Sequence, residues 1–213
     1  MNELVWLSSV SVMLPLFAGL IVFRRSDIDL RWLVLFFAFA TLVETISRML
    51  SAEYKNNVWL LNIYLLIECI VFVNMLAFWH GRPGVRFGAA VATATYAAFW
   101  AVMIFRLGNI FEVNDEAFTA AALLNVAFAG LALYELSGRP GPSLLRNPRF
   151  WMAAGILIFY SVDVTIFSIF DLVTRRGGTT LRSMYVIHSV LNIFANTIYA
   201  VGFLCNLQQL KSR

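Results

Sequence analysis

Of the 213 residues, AVILMFWYC make up 61% and DEKR only 13%, and the mean hydropathy is +0.78. Soluble domains carry about 45–50% apolar and about 25% charged residues, so the composition excludes an ordinary soluble domain. The net charge of +4 does not call for nucleic acid, because the arginines cluster in short breaks between apolar runs, where membrane proteins place them.

Crossing a bilayer takes about 20 mainly apolar residues in a helix. Seven stretches qualify: 4–23, 32–50, 58–79, 87–106, 118–136, 150–171 and 184–206. They are continuous rather than alternating, and lipid demands internal backbone hydrogen bonding, so helices are expected and strands are not. The expectation is an all-α, polytopic integral membrane protein, with residues 1–213 forming a single seven-helix transmembrane domain.

The first stretch has no Lys or Arg ahead of it at residues 1–3 and is long enough to span, so a membrane helix is expected there, not a cleavable signal; Pro15 is expected to bend it. The second carries Glu44 and, one turn on, Arg48, spaced to pair, with Thr41 and Ser47 making a polar stripe. In the third, Glu68 lies near the middle of an apolar run, one turn after Tyr64, and His80 closes the stretch. The fourth begins GAAVATATYAA, small residues that permit close packing within the chain. Asn125 is alone in the fifth, where a packing hydrogen bond is expected; Glu135 at its end is expected to be solvated. Asp163 follows Tyr160 by three residues in the sixth. In the seventh, Tyr185, His188, Asn192, Asn196 and Tyr199 fall within about 80° of arc at about 100° per residue, a face that must meet protein or water rather than lipid. Cys69 and Cys205 lie inside apolar stretches and are expected to be structural thiols.

Lys and Arg orient the bundle. Breaks after the odd-numbered stretches, with the C-terminal tail, hold ten: Arg24, Arg25, Arg31, Arg82, Arg86, Arg139, Arg146, Arg149, Lys211 and Arg213. The other side holds six: Arg48, Lys55, Arg106, Arg175, Arg176 and Arg182. The N-terminus is therefore expected outside and the C-terminus in the cytoplasm. The segments IYLLIECIVFVNM and MYVIHSVLNIFAN each begin with an aromatic and continue with buried polar groups. The two segments allow a parallel 3+1+3 repeat, with the fourth helix as linker, as one possible layout.

Ionisable groups within spans face a bundle interior and are functional hypotheses by default. Glu44, Glu68, Asp163 and His188 all fall from the midplane outward, which predicts a polar vestibule open to the outside and closing near Glu68 and Asn196. Tyr64 and Tyr160 are placed to donate to Glu68 and Asp163, and the two acids are expected to carry protons. The expected ligand- or proton-binding set is Glu44, Arg48, Tyr64, Glu68, Tyr160, Asp163, His188, Asn192 and Asn196.

Residue types narrow the function. Lys55 and Lys211 lie outside the spans, so retinal is excluded, and no other cofactor is expected. His80 and His188 lie at opposite faces, which argues against paired-histidine haem ligation and histidine-rich zinc hydrolysis; no metal is expected and an enzyme is not. What remains is a small-solute transporter, with proton coupling through Glu68 and Asp163. The alternatives are a ligand-binding receptor or sensor acting through a separate membrane or cytoplasmic partner, or a non-catalytic subunit of a membrane complex. The expected partners are lipid, a small solute or a proton, and no nucleic acid. The run Asn56-Asn57-x-Trp59, Ile63-Tyr64, Ile67-Glu68 resembles segments of bacterial seven-helix membrane proteins, which implies a bacterial plasma (inner) membrane and no particular activity.

Overall fold

A computed structural model describes residues 2–53, 55–139, 143–168 and 179–211. The elements are α1 (Asn2–Ser11), α2 (Met13–Val22), α3 (Ile28–Ala52), α4 (Val58–His80), α5 (Pro83–Val102), α6 (Asp115–Gly138), α7 (Pro148–Ser168) and α8 (Thr179–Lys211). Helices α1 and α2 together make the first span, so seven helical segments among the described residues are long and apolar enough to cross a membrane. Their outward faces carry bare apolar side chains such as Trp6, Ile21, Trp32 and Phe87. A water-soluble monomer does not expose apolar surface on this scale, whereas a membrane protein requires it. The predicted tail of the sixth stretch at 169–171, with Arg175, Arg176 and Arg213, lies outside the described residues.

Local chemistry sets the helix ends. Gly81, at φ 89°, terminates α4 in the left-handed region, and Pro83 then opens α5 at a position where a missing N–H costs nothing. Asn114 caps α6 by accepting the Ala117 N–H at 2.8 Å, and Asp115 and Glu116 fill the first turn. The expected bend at Pro15 takes the form of a break at Val12, between α1 and α2. Proline has no N–H for the carbonyl four residues back, so the ladder opens one turn before it. Several helices outrun their apolar stretches. Helix α8 has 33 residues, about 50 Å, because helix hydrogen bonding does not stop where apolarity does.

The helices form a ring in the order α1/α2, α3, α4, α6, α7, α8 and back to α1/α2, with α5 outside against α4 and α6. Within the ring, Phe36 and Phe37 from α3, Phe72 and Leu76 from α4, Ile156 and Tyr160 from α7, and Tyr199 and Phe203 from α8 belong to one buried cluster. A second cluster packs Cys69 and Val73 of α4 against Ala89, Tyr96 and Trp100 of α5 and Ala117 and Ala121 of α6. Of the small residues of α5, Ala89 and Thr93 are buried within the chain, whereas Gly88, Ala90, Ala94, Thr95 and Ala98 are exposed, as is Phe87 at 73%.

Gly155 lets α7 and α8 close: a Cβ there would stand 2.6 Å from Tyr199 Cε1 and 3.2 Å from Ile198 Cγ2. Gly155→Ala is expected to lower stability by about 1–3 kcal/mol, read as a reduced melting temperature in detergent. A melting temperature equal to the wild type's would show that α7 and α8 separate at little cost.

Candidate functional site

A cavity of about 330 Å³ occupies the half of the ring nearer the N-terminal face. Its wall includes Ser9 of α1, Glu44 near the end of α3, Leu61 and Tyr64 near the start of α4, Val113 and Phe118 around the start of α6, Asp163 and Phe167 near the end of α7, and Met184 and His188 near the start of α8. All of these helix ends lie at one face of the bundle, so the cavity lies toward that face. Toward the middle the wall closes on Phe36, Phe37, Phe72, Tyr160 and Tyr199.

Eight of the nine residues singled out from the sequence line this space: Glu44, Tyr64, Glu68, Tyr160, Asp163, His188, Asn192 and Asn196. The exception is Arg48. It lines a groove on the far side of Glu44 with Trp6 and Met13, and bridges α3 to α1 through Ser9 Oγ and the Val5 carbonyl. Its Nε also stands 3.4 Å from Glu44 Oε1, so the predicted pair is present. Arg48 thus lies outside the wall of this cavity, with its fork holding α1 and facing Glu44.

The polar stripe expected on α3 divides. Ser47 accepts a hydrogen bond from Asn57 Nδ2 at 2.7 Å, while Thr41 and Thr45 bond back to their own helix. Serine and threonine hydroxyls commonly do this when no better partner is in reach.

The acids of the cavity differ in their partners. Tyr64 donates to Glu68 Oε1 at 2.7 Å, as the one-turn spacing suggests. Asp163 is instead matched with His188, whose Nδ1 is 3.0 Å from Asp163 Oδ1. The expected Tyr160–Asp163 bond is not formed. Tyr160 Oη has no hydrogen-bond partner, and the residue is only 3% exposed. Tyrosine three residues before an aspartate has the right axial spacing, but α7 turns its ring inward to the core. Among the described residues no Lys, Arg or His lies within ion-pairing distance of Glu68, and no three His, Cys, Asp or Glu side chains come together as a metal site. Lys211 sits at the end of α8 remote from the cavity.

The asparagines of α8 have a structural use as well as a cavity face. Asn192 Nδ2 donates to Ser8 Oγ at 3.0 Å and to the Ser8 carbonyl at 3.2 Å, and Asn196 Nδ2 donates to Ser11 Oγ at 2.9 Å. Both serines lie in the last turn of α1, so the amides tie α8 to the end of α1 just before the break. Intramembrane bonds of this kind average about 0.6 kcal/mol, with a maximum of about 1.7. Asn192→Ala is accordingly expected to cost under about 1.7 kcal/mol in unfolding from detergent; a larger loss would mean that Asn192 orders the whole first span.

Sequence reasoning missed Ser8, Ser9 and Ser11, whose signal is the run Ser8-Ser9-Val10-Ser11 inside an apolar stretch. It also missed Asn62, which is fully buried and donates to the carbonyls of Ile110 at 2.8 Å and Glu112 at 3.0 Å, holding the loop that carries Val113 to the cavity wall. Asn125 is buried without any hydrogen-bond partner, so the packing bond expected for it is absent. Glu135, expected to be solvated, stands among Arg82 at 3.5 Å, Arg139 at 3.8 Å and His80 at 3.9 Å.

At the opposite face the ring is closed by charge. Asp29, 4% exposed near the start of α3, accepts from Arg149 Nε at 2.7 Å and from Trp79 Nε1 at 2.8 Å. Arg149 Nη2 reaches Asp29 Oδ1 at 3.2 Å and Asp27 at 2.7 Å. Because α3 and α7 are opposite members of the ring, this fork spans the bundle axis below the cavity. Arg139 adds bonds to the Trp79 and His80 carbonyls at 2.8 and 3.0 Å. These arginines, counted from the sequence as loop charges, bind helix ends together.

Comparison with family models, with curated proteins and with solved structures finds no match to this chain, so its function rests on the site itself.

Proposed function

We propose that the chain is a small-solute transporter of the membrane, taking its solute from the N-terminal face and using Glu68 as the charge that the solute or a proton neutralises. One observation carries this reading: Glu68 forms the inner wall of a 330 Å³ cavity, and no cation among the described residues balances it. Cavities that hold small molecules run from about 300 to 1,000 Å³, mostly apolar with a few convergent polar groups, and this one matches that description. An intramembrane acid without a paired cation is by default the mark of an ion or substrate pathway.

Closure at the far face favours transport over a receptor. The axis there is spanned by the Arg149–Asp29–Asp27 ion pairs, contacts that exchange partners more readily than interlocked apolar side chains. Rocking of one half of the ring against the other would open that end and close the mouth. The 3+1+3 arrangement fits the ring, in which α5 alone stands outside, and we propose it as the unit of that motion. The ten-to-six distribution of Lys and Arg supports a mouth facing outside and a C-terminus in the cytoplasm of a bacterial cell.

The test is solute-driven proton movement in proteoliposomes holding an internal pH dye, screened with amines, alcohols and carboxylates. At least one class is expected to move protons with the wild type and to lose the response tenfold or more with Glu68→Gln. Solutes that raise the melting temperature while none produces flux would instead identify a receptor.

A further inference from the structure

The walls around Glu68 specify what the cavity takes, given the reading of it as a binding site. Four rings run edge to face and face to face in an unbroken belt. Tyr64 stacks on Phe36 at 6.1 Å, Phe36 meets Phe72 edge-on at 4.9 Å, and Phe72 meets Tyr160 edge-on at 6.3 Å. The belt begins at the tyrosine that donates to Glu68, and all four of its residues line the cavity that Glu68 lines. The face of an aromatic ring is its negative pole, so rings and carboxylate both suit a cation.

Three classes of occupant are disfavoured by this chemistry. An anion would meet Glu44, Glu68 and Asp163 with Arg48 and His188 already engaged by two of them. A hard metal cation needs about six oxygen ligands in place of its water, and ring faces do not supply them. A bare proton needs no space of 330 Å³. A weakly hydrated organic cation needs what is present: one carboxylate, ring faces for its charge, and apolar walls for its body.

Tyr160 sharpens the choice. The residue lines the cavity, and its buried hydroxyl has no hydrogen-bond partner, a condition that a ligand group can relieve. A phenolic oxygen can accept an N–H, and a cationic head group drawn by Glu68 supplies one when it is an ammonium with a hydrogen left on nitrogen. We propose that the cavity binds a protonated amine bearing at least one N–H and an apolar or aromatic body, with the ammonium between Glu68 and Tyr160 and the body against Phe36 and Phe72.

The test uses the detergent-purified full chain and three probes of one shape: phenethylammonium, phenethyl alcohol and 3-phenylpropionate. A fourth, N,N,N-trimethylphenethylammonium, keeps the charge and removes the N–H. Binding is read by titration calorimetry and by the rise in melting temperature with ligand concentration. The amine is expected to bind at least tenfold more tightly than the alcohol, and the carboxylate not at all. Glu68→Gln is expected to abolish the difference between amine and alcohol. Tyr160→Phe, which keeps the ring, is expected to reduce the preference for the N–H amine over its trimethylated form at least threefold, so the proposal stays testable if the first variant does not fold. Equal binding of amine and alcohol by the wild type overturns the proposal, as does an unchanged amine preference in Tyr160→Phe. Amine binding without any flux overturns transport and leaves the ligand class standing; proton-coupled flux of solutes with no amine preference does the reverse.

Discussion

Asp29→Ala is expected to destabilise the protein by about 3–5 kcal/mol, the largest loss for any single substitution at the face opposite the cavity. Asp29 is almost wholly buried and is bound by both Arg149 and Trp79. Removing it leaves a guanidinium with its buried partner gone and an indole N–H without an acceptor. Asp27 provides the internal comparison. It meets the same Arg149 at 2.7 Å, but its side chain is 66% exposed, so Asp27→Ala is expected to cost under about 1 kcal/mol. Unfolding in detergent, followed by circular dichroism, measures both. The account of a buried latch is wrong if the two substitutions cost the same. Replacing Asp29 and Arg149 together by leucines tests the cause, because a buried ion pair exchanged for apolar packing is often neutral or stabilising. The double variant is expected to recover most of the loss and to hold the far end of the ring shut, which under the transport reading abolishes flux.

Glu68→Gln is expected to separate function from stability in the opposite direction. The amide oxygen still accepts from Tyr64, so the local hydrogen bond survives and only the charge is lost. A charge near the centre of a membrane helix costs about 2.5–3.5 kcal/mol on insertion scales, so removing an unbalanced one should leave the melting temperature unchanged or raise it. Solute-driven flux should fall at least tenfold in the same preparation. A residue retained at the expense of stability is what a functional site looks like. A fall in stability of more than about 1 kcal/mol would show that Glu68 serves packing. Glu68→Leu is a poorer probe, because it strands the Tyr64 hydroxyl beside that of Tyr160, at a cost of about 1–3 kcal/mol.

How far the site was legible depends on which partners share a helix. The Glu44–Arg48 and Tyr64–Glu68 pairs are one turn apart, and their geometry follows from the helix itself. Asp163 misled for the same reason: Tyr160 has a suitable spacing, yet the acid is taken by His188, 25 residues on and on another helix. Arg48 was grouped with the cavity because it sits one turn from Glu44, but packing of α1 against α3 draws it to Ser9 and Val5. Asp29 was passed over in a charged break, and its partner Arg149 is 120 residues away.

By itself, the sequence determined that seven helical segments are apolar enough to span a membrane, and the depth at which each polar group lies along its own helix. Both are one-dimensional properties: the first follows from the length of hydrocarbon to be crossed, the second from a fixed rise per residue. Tertiary structure alone decided which polar groups meet. The rotation of each helix about its axis and the order of helices around the ring are set by packing of side chains such as Gly155 against Tyr199, contacts between residues far apart in the chain. That rotation is what leaves Glu68 facing a cavity while Asp29 is bound shut.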